Sequence, residues 1–181
     1  RVFTPLMLEA ARRDPGYAGH IVNTASMAGL LAPPAMGVYN ASKHAVVALS
    51  ETLYHDLRLV DTRVKASVVC PYFVPTGIAH SEAHRPAEVR HDAAATPGQQ
   101  AARSLLEQAV AAGKVTAADV ARIIFDGIRR GDFYIYTHPQ ALQAVADRMD
   151  AILHGKPPAD AYAATPQFTD MLKAAVQGSG K

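Results

Sequence analysis

"HIVNTASMAGLLAPPAMGVYNASKHAVVALSE", residues 20–51, decides the fold. Its first seven residues, His20 to Ser26, are β-branched and mostly apolar. That pattern predicts a short strand buried on both faces, as in a parallel sheet. Gly29, Pro33, Pro34 and Gly37 punctuate the loop that follows. A long helix is predicted from Val38 to about Leu59. Ser42, Ala45, Leu49, Leu53 and Leu57, spaced three or four apart, form its expected packed stripe. "RVKASVVCP", residues 63–71, then reads as a second strand ended by Pro71. Strands joined through helices imply crossover connections and a parallel sheet covered on both faces.

Outward from this core the same alternation continues. "RVFTPLMLEAARRD" reads as a helix from Val2 to Arg13, with Val2, Phe3, Leu6 and Leu8 apolar, broken at "DPG". Residues 75–113 are irregular and rich in Ala, His and Pro, with a helix near Gln99 to Ala112. An insertion of this length is expected to be a substrate lid, over about 77–113. "TAADVARIIFDGIRRG" is a helix capped by Thr116, with Asp119 as capping-box partner and Gly131 closing its end. "DFYIYTHP" is a third strand, and a helix from about Pro139 to His154 follows. The Pro-rich linker and short helix after it form a C-terminal extension, about 155–181. The expected fold is one α/β domain over 1–181, a doubly wound parallel sheet. Three strands are few for such a sheet. No capping residue precedes the first helix, so further strands are expected before Arg1.

Composition excludes several functions. Of 181 residues, 49% are hydrophobic, and the formal net charge is only +2 with no long run of like charges. That gives no case for nucleic-acid binding. Cys70 is the single cysteine, which rules out an internal disulfide and a multi-cysteine zinc site. No apolar stretch reaches the roughly 18 residues that span a bilayer. A cytoplasmic protein without membrane or nucleic-acid partners is the expectation. His80, His84 and His91, with Glu82 and Glu88 nearby, match no helix-borne metal motif, so no metal is expected. His44 and His55 are expected to serve packing or an interface.

The chemistry sits at the start of the long helix. Tyr39 and Lys43 are four apart, so they share a helix face. At about 5 Å and an effective dielectric of about 20, an ammonium favours a phenolate by roughly 3 kcal/mol, which makes the phenol a general acid/base. Ser26 lies thirteen residues earlier, at the C-terminal end of the predicted strand, where open parallel sheets bind ligands. Its hydroxyl can bond a carbonyl or an alcohol oxygen. "CPYFVPTG", residues 70–77, stands at the next strand end. Pro71 and Pro75 stiffen it, and its backbone and Thr76 can hold an amide-bearing ligand. "TASMA" lacks the Gly-x-Ser-x-Gly elbow of an esterase serine.

Ser26 … Tyr39-x-x-x-Lys43, with "YNASK" at its core and "PYFVPT" after the next strand, resembles the short-chain dehydrogenase/reductase family. The resemblance implies a Rossmann-like fold and hydride transfer between NAD or NADP and a ketone or secondary alcohol. It implies that Tyr39 exchanges the hydroxyl proton and Ser26 polarises the substrate oxygen. Lys43 would tune Tyr39 and hold the nicotinamide ribose. Pro71, Val74 and Thr76 would contact the nicotinamide end of the cofactor. Tyr72 stands where the family has Gly, and its ring and Phe73 are expected at the substrate pocket. The resemblance also implies a homodimer or homotetramer built through the 2–13 and 38–59 helices. Ala41, Ala45 and Ala48 would suit such a contact, or equally packing against the chain's own sheet. The family's Gly-rich phosphate loop and its catalytic Asn have no counterpart in these residues. The 181 residues alone are therefore expected to bind the cofactor poorly. The rival reading is a noncatalytic binding or oligomerisation module.

Overall fold

The computed structural model describes residues 2–61, 63–86, 88, 95–163 and 166–178, with backbone alone at 82–84, 175, 176 and 178. Helix α1 (Phe3–Arg13) leads into strand β1 (Gly19–Thr24), then α2 (Gly37–Val60) and β2 (Val64–Cys70). After a 3-10 segment at Gly77–His84 come α3 (Pro97–Ala111), α4 (Ala117–Arg130) and β3 (Tyr134–Tyr136). A 3-10 turn at Pro139–Ala141 opens α5 (Leu142–Leu153), and α6 (Pro166–Gly178) ends the described chain. The strands form one parallel sheet in the order β1-β2-β3, with Gly19 opposite Val64 and Val68 opposite Tyr134. This is the α/β architecture expected, and its strands and helices fall close to their predicted spans.

β2 is central, and five of its seven residues are apolar, as burial on both faces requires. Ala11 of α1 and Leu57 of α2 pack on Val64 and Ala66. Further along, Val47 of α2 joins Val68, Cys70, Ala25, Met27 and Leu31 in a second cluster, flanked by Leu142 and Val145 of α5. α4 covers β3, where a Cβ on Gly127 would lie 2.8 Å from the side chain of Ile135. The Thr116–Asp119 capping box forms as read, and Gly131 closes α4 at φ 77°.

Fully buried Ser67 crosses the sheet. Its hydroxyl donates to the Asp132 carbonyl at 2.6 Å and accepts from His20 Nε2 at 2.7 Å. Asn23 of β1 likewise donates to buried Ser50 of α2 at 3.0 Å.

The stripe on α2 differs from the expected one. Asn40, Val47, Ser50 and Leu57 are its buried residues, whereas Ser42, Ala45 and Leu49 face outward. Two of the buried four are polar, which hides the face from a hydrophobicity count. Ser50 is tolerated there because its hydroxyl donates to the Val46 carbonyl at 2.7 Å and accepts from Asn23. Ala41, Ala45 and Ala48 are exposed, so they do not pack on the chain's own sheet.

Candidate active site

β1 ends at Thr24, but its pairing with β2 runs on. Ala25 N–H donates to the Val69 carbonyl and Met27 N–H to the Pro71 carbonyl, each at 2.8 Å. Ser26 thus stands two residues past the strand rather than on it. It is extended, at φ −174°, because it caps the 3-10 turn Met27–Gly29. Its Oγ accepts from Ala28 N–H at 3.2 Å and makes a long 3.4 Å bond to the Pro71 carbonyl.

Tyr39 and Lys43 occupy the first two turns of α2. No side chain caps this helix. Its entry is held by Asn40, whose Nδ2 donates to the Pro33 carbonyl at 2.9 Å. The Lys43 ammonium donates to the Thr24 carbonyl at 3.2 Å and sits 5.6 Å from the centre of the Tyr39 ring. The lysine thus ties the helix start to the end of β1 as it passes the phenol. Asn23 and Asn40, bonded to Ser50 and Pro33, serve packing.

Residues 71–76 leave β2 under tight constraint. A Cβ on Gly113 would lie 2.7 Å from the Phe73 carbonyl oxygen and 3.0 Å from Pro75 Cδ. Only glycine lets the end of α3 lie so close. The Tyr72 and Phe73 rings are 4.3 Å apart, and His138 meets Tyr72 edge-on at 5.9 Å. Burial raises the Tyr72 phenol above its ordinary value and holds His138 below its own. Buried Cys70 beneath is pushed up to about 11, chiefly by desolvation.

These pieces enclose a cavity of about 700 Å³ at the C-terminal ends of the strands. Ser26, Tyr39, Lys43, Pro71, Tyr72, Phe73, Val74 and Thr76 all line it. Every site residue named from the sequence is therefore brought to one place. Its far wall holds Ile78, Leu106 and Val110, inside the expected lid though not singled out, and Met36 with Ala117 and Val120 of α4, which the sequence reading missed. The signal for part of it is the apolar run Leu105, Leu106, Ala109 and Val110 on α3. Among the described residues no carboxylate lines the cavity.

Among the described residues no cluster of three or more His, Cys, Asp or Glu is arranged to hold a metal. His91 and the side chains of Glu82 and His84 lie outside the described residues. No helix among the described residues is long and apolar enough to cross a membrane.

A serine past one strand end, a tyrosine and lysine on the next helix, and a proline-stiffened turn past the second strand thus face one cavity. The family model for the short chain dehydrogenase matches residues 2–87. The chain belongs to the short-chain dehydrogenase/reductase family. It is 52% identical, with a TM-score of 0.84, to a family member from Burkholderia phymatum crystallised in complex with NAD. That match covers 88% of this chain and 55% of the other. A short-chain dehydrogenase structure from Novosphingobium aromaticivorans, 25% identical at TM-score 0.60, covers 98% of this chain and 54% of its own. Among curated relatives, a CLA biosynthesis dehydrogenase/reductase of Lactiplantibacillus plantarum is 34% identical over 140 residues, 74% of this chain and 47% of the relative. The chain spans about half the length of the relatives it matches.

Proposed function

We propose that this chain is the catalytic, substrate-facing part of an NAD(P)-dependent oxidoreductase that interconverts a ketone and a secondary alcohol. One observation carries the reading: Ser26, Tyr39 and Lys43 open on the same cavity as Val74 and Thr76. Hydroxyls, an ammonium and exposed backbone, with no competing carboxylate among the described residues, suit the nicotinamide and its ribose. When bound, the cofactor supplies or accepts the hydride. Tyr39 gives its phenolic proton to the carbonyl oxygen in reduction and takes it back in oxidation. Ser26 turns its hydroxyl from its long bond with Pro71 to the same oxygen and holds it. Lys43 has N–H donors beyond the one spent on Thr24, and these bond the ribose hydroxyls. Val74 backbone and the Thr76 hydroxyl hold the carboxamide, and Pro71 lines that end. Tyr72 and Phe73 border the substrate. Of the lid expected over 77–113, the described Ile78, Ser81, Leu106 and Val110 border the cavity and would cover the substrate, while residues 87 and 89–94 lie outside the described residues.

The Gly-rich loop that would seat the pyrophosphate is absent from this sequence. The residues present would hold the nicotinamide half of the cofactor, in a protein that is a homodimer or homotetramer. Exposed Phe3 and Leu6 on α1 and Leu49 on α2, beside exposed Ala41, Ala45 and Ala48, support a contact through these helices.

The decisive experiment follows nicotinamide absorbance in the full-length protein with a panel of ketones and alcohols. Tyr39→Phe should lower turnover by about 10²–10⁴-fold, the usual worth of general acid/base catalysis. Cofactor affinity should change little. Turnover retained by this variant removes Tyr39 from the role, and no turnover with any substrate favours the noncatalytic module.

A further inference from the structure

A second cavity of about 260 Å³ adjoins the first. The two share Ala35, Met36, Phe73 and Leu106, so they meet at one wall. Ser26, Tyr39 and Lys43 line only the first. The second begins where the reactive groups end, and it runs between α3 and the C-terminal stretch that carries Tyr162, Phe168 and Leu172. Tyr162 stacks on Phe168 with ring centres 5.6 Å apart. Its phenol is raised above the ordinary value, first by burial and then by the nearby Tyr72. At the shared wall Ala35 takes φ 62°, a conformation rare for a residue with a Cβ. Such strain is a feature of ligand sites.

Most of the second cavity is apolar. Among the described residues its one cation is Arg103 of α3, an exposed side chain at its edge, and no Asp or Glu lines either cavity. Arg103 makes no hydrogen bond or ion pair with the other described residues. Gln99, also on the wall, is committed to the capping box with Thr96. A volume of 260 Å³ lies just below the usual range for a complete small-molecule site, but it suits the tail of a ligand anchored next door. A single guanidinium with no other cation matches a carboxylate better than a doubly charged phosphate.

We propose that the second cavity is a tail subsite. It selects an elongated apolar ketone or secondary alcohol whose far end carries a carboxylate held by Arg103, that is, a long-chain oxo or hydroxy acid. The inference rests on the oxidoreductase reading above for the reacting end of that molecule.

The test uses the full-length protein with 10-oxooctadecanoic acid, its methyl ester and cyclohexanone, each below its aggregation limit. Turnover is read with nicotinamide cofactor, and binding of the acid by calorimetry. Arg103→Gln should lower kcat/KM for the acid relative to the ester by about tenfold, the worth of one charge-assisted contact. Ala102→Phe, which fills the second cavity from α3, should lower both acid and ester relative to cyclohexanone. If these ratios stay unchanged while ketones are reduced, the tail subsite is overturned and the oxidoreductase reading stands. If no ketone turns over yet the acid binds and Arg103→Gln weakens it tenfold, the subsite stands and the oxidoreductase reading fails.

Discussion

Gly29→Ala tests whether the serine turn and the tyrosine helix are one rigid unit. Gly29 is buried in the turn that Ser26 caps, and its N–H donates to the Ser26 carbonyl at 2.8 Å. It has no positive φ, so alanine brings no backbone penalty there. The cost comes from contact. The new Cβ would lie 2.7 Å from the Lys43 carbonyl oxygen, 3.0 Å from its carbon and 2.9 Å from Val47 Cγ2. Ordinary contact starts at 3.4 Å, so the turn must retreat by about 0.7 Å from α2. Two of the three obstacles are helix backbone and cannot move by changing rotamer. Overpacking of this kind costs about 1–3 kcal/mol. At roughly 2–4 °C per kcal/mol, the full-length protein should melt about 2–12 °C lower. Ser26 moves with the turn while Tyr39 stays on α2. A misplacement of about 1 Å costs about 10²-fold in rate, so kcat should fall about 10–100-fold. Gly98→Ala is the control, because its Cβ meets nothing within 4 Å. Differential scanning fluorimetry and steady-state turnover read both effects. A Gly29→Ala protein that melts within about 1 °C of wild type, with unchanged kcat, refutes the rigid-unit argument.

His20 and His138 are both held below their ordinary value of 6.5, chiefly by burial. The unfolded chain therefore takes up protons first as pH falls through 6.5, so stability is retained above that value and lost below it. Melting temperature measured from pH 7.5 to 5 should fall, and the slope should flatten in His138→Asn; an unchanged slope discounts His138. Leu57, 2% exposed between α1 and β2, should cost about 2–5 kcal/mol as Leu57→Ala in urea denaturation, and a loss under about 1 kcal/mol would mean the site collapses freely. Cys70 is fully buried with its thiol pushed to about 11. Iodoacetamide at pH 8 should label it at least about a hundredfold more slowly than a free cysteine until the protein unfolds, as mass spectrometry would show.

Much of this fold is written locally. The Thr116–Asp119 box, the terminal Gly131 and the β-branched run of β2 each carry a backbone requirement in their own residue types. The buried face of α2 is written non-locally. Ser50 and Asn40 are buried only because Asn23, Val46 and Pro33 supply their bonds. No helical periodicity reveals those partners. The site divides the same way. Ser26, Tyr39 and Lys43 are legible because a strand, a loop and a helix turn fix them within eighteen residues of sequence. Leu106, Val120 and Tyr162 reach the cavity walls only through tertiary packing of α3, α4 and the C-terminal stretch. The role of Gly113 is equally hidden, since its reason is the Phe73 carbonyl forty residues earlier.

The Ser67 hydroxyl has a consequence for alignment. A strand as rich in small apolar residues as β2 has little in its apolar side chains to forbid sliding along its neighbours. A two-residue slip would keep the apolar faces inward and yet strand His20 Nε2 and the Asp132 carbonyl without their shared partner. One serine thus works as an indexing pin at the sheet's base, keeping the opposite rim level so that Ser26 and Pro71 arrive at the same height.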